Sequence, residues 1–428
     1  MRRSRFVAGA GGALAAFALA LAGPAAPAHP AAPVAHPGVV SEDPVAHTPH
    51  VLDGQVWSIA VVGRRVVVAG DFTRVREHGD DEELRRSNIF AYDHRTGAVD
   101  PRFRPEVDGT VRKVVAGPGG SVILGGSFTE VNGEPSRGLA RLDAADGEAA
   151  AEFGATTDGT VTSLAEHGGE LYAGGSFTAV GGRPRTGLAR LDAETGAVDE
   201  GFALELSHPR GESAPRLSEL ALSPDGSRLV VNGDFQRVDG HTREQIAMLD
   251  VTGADARVTG WATRDFRHDC GLPHLSTNMR QMAFSPDGSY FVVVTTGNPV
   301  SGGELCYSAS RWETRTDRAG LHPTWVNHTG GHSLYAVAAT GPAVYVGGHQ
   351  RWHDNAGCFK EACPGSVERS GIAALDPATG RALPWNPGRD RGHGVLALTA
   401  VPDGLLVGSD TERLAGEFHA RLGMFPLG

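Results

Sequence analysis

Histidine, arginine and aromatic residues crowd four short stretches in the second half of this 428-residue chain. RDFRHDCGLPHLSTNMR carries His268, Asp269, His274, Asn278 and Arg280, and VNHTGGH carries His328 and His332. HQRWHDN supplies His349, Arg351, Trp352, His353, Asp354 and Asn355, and GRDRGHG supplies Arg389, Asp390, Arg391 and His393. Imidazoles titrate near neutrality, so such a set can move protons. It can equally hydrogen-bond a polar ligand while an indole packs against it. The candidates for ligand contact are His268, His274, Arg280, His349, Arg351, Trp352, His353, Asp354 and Asn355. Acid–base chemistry on a polysaccharide needs two groups facing one pocket. The candidates for that are His332, His349 and His393 with Asp71, Asp234 and Asp410. The plainer alternative for each loop histidine is a hydrogen-bond pin on the surface.

Other chemistries find little support. His349 and His353 have the H-x-x-x-H spacing of a helical zinc pair, but Gln350 stands where the glutamate belongs. A strand end does not bring that spacing onto one face, so no metal or other cofactor is expected. The acidic run EHGDDEE, Glu77 to Glu83, lacks the spacing and glycine of a calcium loop. There is no G-x-S-x-G elbow, P-loop or dinucleotide fingerprint.

The elements that must position these groups come from an internal repeat. SVILGGSFTEVNGEPSRGLARLDAADG, starting at Ser121, matches ELYAGGSFTAVGGRPRTGLARLDAETG, starting at Glu170. Weaker copies are VVVAGDFTRV from Val66, VVNGDFQRV from Val230 and VYVGGHQRW from Val344, with FVVVTTGNPV from Phe291 and LLVGSDTERL from Leu405 fitting the same slot. Steps of roughly 50 to 60 residues suit propeller blades. Each unit reads as four strands, in unit one VWSIAVV, RVVVAGDF, NIFAYD and AVDPRFRPEV. The expected fold is therefore all-β, a seven-bladed β-propeller of four-stranded blades. Asp93, Asp143, Asp192 and Asp376, each followed by a turn glycine, read as turn formers. Phe103, Phe153, Phe202, Trp261, Trp325 and Trp385 recur once per unit and read as packing between blades.

Strand alternation sends the loop after the second strand and the loop between blades to one face. The long ones are Thr73 to Arg86, Ser207 to Ala214, Arg264 to Asn278, Asn298 to Ser308 and Gln350 to Ser370. All fall on that face, which insertions mark as the binding side.

MRRSRF, an apolar run from Val7 to Ala22 and Ala26-Pro27-Ala28 make residues 1–28 a secretory signal peptide. Residues 29–42 read as a flexible Pro/Ala-rich tail and 43–428 as one propeller domain. DPVAHTPHVLDG in the N-terminal segment resembles the blade ending DPRFRPEVDG, so the segment is expected to pair with the last blade and close the ring. Export makes the four cysteines two disulfides, Cys358 with Cys363 and Cys270 with Cys306. Losing three signal-peptide arginines and no acid takes the formal charge from −11 to −14, which disfavours nucleic acid as a partner. The only lysines, Lys113 and Lys360, read as a compositional bias. No stretch of the mature chain is long and apolar enough to span a bilayer.

The GG[SD]FT motif, the Gly-L-A-R-L-D strand, the T-G turn and a Phe-containing strand ending in Asp-Gly resemble the delta-60 repeat family, DUF5122 β-propellers. From Asn278 onward the chain is similar to a secreted actinobacterial branch of such propellers. The resemblance implies the fold and brings no common activity or catalytic residues. The expectation is a secreted monomer binding an extracellular glycan or protein through its loop-rich face. The alternatives are a polysaccharide lyase or hydrolase with a His/Asp site at the central mouth, and a structural cell-envelope protein.

Overall fold

The computed structural model describes residues 34–211, 213–268, 270–271, 277–297, 305–390 and 392–428. The expected signal peptide, the start of the 29–42 tail, Asp269, His274, Arg391 and parts of three long loops lie outside them. Among the described residues regular structure is all β apart from one 3-10 turn, Pro118–Gly120. Val56–Val62, Arg65–Gly70 and Ile89–Asp93 form an antiparallel meander. The order recurs with second strands Ser121–Gly126, Glu170–Gly175, Arg228–Gly233, Tyr290–Thr295, Val344–Gly348 and Gly404–Ser409. These main sheets are numbered one to seven in chain order.

The repeat motif has a physical reading. The second strand is buried almost throughout, because it lies mid-sheet between two neighbouring sheets. A side chain at Gly125 would come within 2.7 Å of Val161 in sheet three, and one at Gly408 within 2.5 Å of Val56 in sheet one. Glycine at that slot lets the next sheet's first strand approach. Phe72, Phe128, Phe177 and Phe235 then turn fully inward, each burial contributing about 1.5–3 kcal/mol. The following threonine is clamped from the preceding Asp-Gly: Asp108 accepts the Thr129 N–H at 2.7 Å and the Thr129 hydroxyl at 2.5 Å. Asp53 and Asp158 hold Thr73 and Thr178 in the same way.

The core is divided into wedges. Each hydrophobic cluster draws on two consecutive sheets, and one joins sheets seven and one. The first strand of each sheet lies against that of the next, and Val395–Val401 lies against Val56–Val62. The recurrent aromatics occupy these wedges, with Phe103, Phe202 and Trp261 almost fully buried and Phe153 only partly so. The indoles of Trp261 and Trp325 donate to Glu313 and Pro377 carbonyls, each in the following sheet's unit.

Among the described residues the four-stranded expectation holds for sheets four and five, completed by Arg257–Val258 and Trp325–His328. In sheets one, two, three and six the fourth strand shrinks to one bridge, such as Tyr92 with Val99. In unit one the cause is local: Pro101 and Pro105 lack the N–H a ladder needs, and the chain leaves the sheet to bury Phe103. The loops after the second strands also contain short hairpins, as at Glu130–Val131 with Glu134–Pro135.

The N-terminal segment runs along sheet seven. Val40 bridges Leu427, Ser41 N–H donates to Pro426, and Val45 N–H donates to Met424. The Trp385 indole donates to the Ser41 carbonyl, as those of Trp261 and Trp325 do to their following units. Within the stretch 29–42, His36 is buried and donates its N–H to the Thr340 carbonyl, with its ring 2.8 Å from the Val401 carbonyl.

Candidate functional site

Asp71, Asp234, His349 and Asp410 follow their second strands at equivalent positions. The three carboxylates turn back onto the start of their own sheet. Asp71 accepts the Gln55 N–H at 2.6 Å and Asp234 the Arg216 N–H at 2.7 Å. Asp410 accepts His393 N–H at 2.7 Å and Gly394 N–H at 2.9 Å. Burial pushes the Asp234 carboxyl up, against the Arg216 N–H that draws it down. No hydrogen bond or ion pair joins these carboxylates to one another among the described residues.

The fold does bring histidines together between sheets five, six and seven. The His332 ring centroid lies 5.9 Å from that of His349 and 5.5 Å from that of Trp352. The Arg351 guanidinium sits 4.8 Å from the Trp352 ring. His349 Nδ1 donates to the Gly392 carbonyl, next to His393. His393, its side chain 74% exposed, places Nδ1 3.6 Å from Asp410.

The next three candidates hold the scaffold. His353 is fully buried, occupying the slot filled by Val131, Val180 and Val238 in other units. Its Nδ1 lies 2.8 Å from Asn327 Oδ1, and burial followed by the Arg369 charge brings its pKa down to about 3. Asp354 accepts the Asn327 amide at 2.7 Å. Buried Asn355 donates to the Glu361 carbonyl at 2.8 Å and accepts Cys363 N–H at 2.9 Å. The H-x-x-x-H pair is thus split, one ring in the core and one at the His332 contact.

The loop that Asn355 ties is closed by Cys358–Cys363, and Lys360 N–H donates to Gly330 at 2.8 Å. At its tip Phe359 remains 40% exposed, with Lys360 Nζ 5.1 Å from its ring. The second disulfide is Cys270–Cys306. His268 is exposed beside Arg267, and Arg280 is half-buried, with its guanidinium lowered by burial.

One constellation escaped the sequence reading. First-strand residues from every main sheet line a cavity of about 640 Å³. In its wall Lys113 Nζ lies 3.2 Å from Glu219, and the Ser163 hydroxyl donates to the same carboxylate at 2.9 Å. At one end of the first strands the Arg112 guanidinium stacks 4.3 Å over Trp57. The available signal was one polar residue at the same place in VWSIAVV, VRKVVA, VTSLAEH, LSELAL and MRQMAF.

The model of the domain of unknown function DUF5122, a β-propeller family, matches residues 118–149 and 169–202, supporting that family over the two regular repeats. No curated protein matches the chain. Among solved structures it is similar to the computationally designed Ika8 protein, at 12% identity and TM-score 0.47, over 90% of this chain and 99% of that one. A likeness at that level carries no argument. The two disulfides are compatible with an extracellular protein, and among the described residues no helix is long and apolar enough to cross a membrane.

Proposed function

We propose that this chain is an exported, monomeric, seven-bladed propeller, closed by its N-terminal segment, that binds an extracellular glycan through the loop face of sheets five to seven. Supporting the ring are the first-strand contacts that run from sheet one to seven and back, with Val40 and Ser41 bonded to the last strand. The observation that carries the binding reading is the stapled loop. Phe359 stands exposed on a segment fixed by a disulfide, by Asn355 and by Gly330, with its ring against Gly331, the chain neighbour of His332, which itself contacts Trp352 and His349. Rigid aromatic faces next to hydrogen-bonding groups suit the apolar faces and hydroxyls of a sugar, and prior ordering lowers the entropy cost of binding.

A glycan array with the mature chain, read for both binding and product release, tests this. Binding that survives EDTA and is lost in Trp352→Ala, with near-UV circular dichroism unchanged, is the expected result. Released oligosaccharide, abolished in His393→Ala, would replace it with the lyase or hydrolase reading, which the exposed His393 beside Asp410 favours. Silence in both channels would turn the search to protein partners.

A further inference from the structure

The cavity between the first strands is mostly apolar, walled by residues such as Ala60, Val114, Leu164, Leu220, Met282 and Ala338. Its volume of about 640 Å³ falls within the range typical of small-molecule sites. Into this wall the fold sets Lys113 from sheet two, Ser163 from sheet three, Glu219 from sheet four and Gln281 from sheet five.

These groups are only partly used. The Lys113 ammonium has three hydrogens, and among the described residues it donates only to Glu219. One oxygen of Glu219 takes both the Lys113 and Ser163 bonds, and the other has no partner among those residues. Gln281 accepts Val337 N–H at 2.7 Å through its oxygen, leaving its amide nitrogen uncommitted among them. The side chains of Lys113 and Glu219 keep 22% and 11% of their exposure, so the pair is reachable from the cavity.

A purely structural pair explains this poorly. Removing two charges from water is costly, and apolar residues of similar volume commonly hold neighbouring elements as well or better. A strut would also be expected to use its bonding capacity on the protein. Here the spare capacity is one cationic donor and one anionic acceptor, side by side against an apolar chamber.

We propose that this cavity binds a small apolar zwitterion, of the class of apolar α-amino acids and dipeptides. The ligand carboxylate takes the spare Lys113 hydrogens, its ammonium donates to the open oxygen of Glu219, and its apolar body fills the chamber. Charge arithmetic selects this class. A carboxylic acid alone would bring its anion beside Glu219, and an amine alone would bring its cation beside Lys113. A zwitterion completes an alternating set of four charges and leaves the net charge of the site unchanged. This site is separate from the loop face and does not depend on the glycan reading.

Titration calorimetry and thermal unfolding of the mature chain test it, with Leu-Phe as probe and N-acetyl-Leu-Phe and Leu-Phe amide as blocked controls. The expected result is saturable heat and a raised melting temperature with Leu-Phe. Each blocked form should bind about tenfold more weakly or worse, the loss of one charged hydrogen bond. Lys113→Met should remove the preference for a free carboxylate, and Glu219→Gln the preference for a free amine. If either variant fails to fold, the blocked probes on the unaltered chain decide. Absence of heat and of any shift at millimolar Leu-Phe, or equal binding of blocked and free forms, would overturn the proposal.

Discussion

Sheets two and three repeat one plan, whereas sheet six keeps its backbone and replaces its side chains. In the regular pair, Phe128 and Phe177 fill the core, Thr129 and Thr178 are clamped by Asp108 and Asp158, and Val131 and Val180 anchor the hairpin. The same slots in sheet six hold Gln350, Arg351 and His353. Both side-chain amide atoms of buried Gln350 lack partners among the described residues, and the hairpin is held by Asn327, Asp354 and a disulfide loop. The difference separates two uses of polar groups. Regular units hold the hairpin with an Asp–Thr clamp, while the altered unit holds it through Asn327 and carries Arg351 and Trp352 half-buried and Phe359 exposed.

The most forceful way to break this comparison is to truncate the same slot in both regions. Phe128→Ala should cost about 3–5 kcal/mol, the transfer term plus the cavity left in a closed wedge. Gln350→Ala should cost under about 1 kcal/mol, because it also removes a side-chain amide buried without partners among the described residues. Urea unfolding midpoints of the two variants measure this, and equal losses would mean that the slots are energetically alike.

Acid should separate the regions next. His353 is held neutral by burial, with its pKa lowered to about 3, and His50, lowered to about 4 by burial and then by His419, Arg76 and His78, lies in the N-terminal segment. An unfolded histidine takes up protons below about pH 6.5, so the unfolded state binds more protons there than the native state. Stability is therefore full above that pH and falls as the pH drops toward those lowered values. The carboxylates of the regular clamps work in a lower window. Burial alone would raise Asp108 and Asp158, but the threonine hydroxyls and backbone N–H groups outweigh it and hold both below their usual value. Their contribution is lost only below the ordinary carboxylate range of about pH 4. Hydrogen exchange at pH 5 against pH 7 should thus show lost protection at Trp352–His353 and His50–Val51, with Glu130–Val131 unchanged once intrinsic rates are corrected.

What the sequence made legible follows the same division. Period, turn aspartates and buried aromatics are local signals that recur where the repeat is intact, whereas both cysteine pairings are read from export and cysteine count and fall in the altered loops. His353 was misleading because its type suggests chemistry while its register, set against Val131 and Val180, gives a core position. The fourth strands were overestimated because apolar residues such as Phe103 leave the ladder to pack, and Pro101 and Pro105 cannot pair. The Lys113–Glu219 contact skips an entire sheet, so neither strand pattern nor spacing along the chain announces it.

The smallest effect on stability sharpens the comparison most. Phe359 is the same residue type as Phe128, yet it stands 40% exposed at the tip of a loop whose ends are already joined. Phe359→Ala should leave the unfolding free energy within about 0.5 kcal/mol. Under the glycan reading the same change removes a stacking face and should weaken binding about tenfold, roughly the worth of one aromatic contact. Unfolding midpoints and array titrations on one protein preparation give both numbers. A stability loss comparable to that of Phe128→Ala would show that the stapled loop serves the core, and the surface reading of sheet six would fall with it.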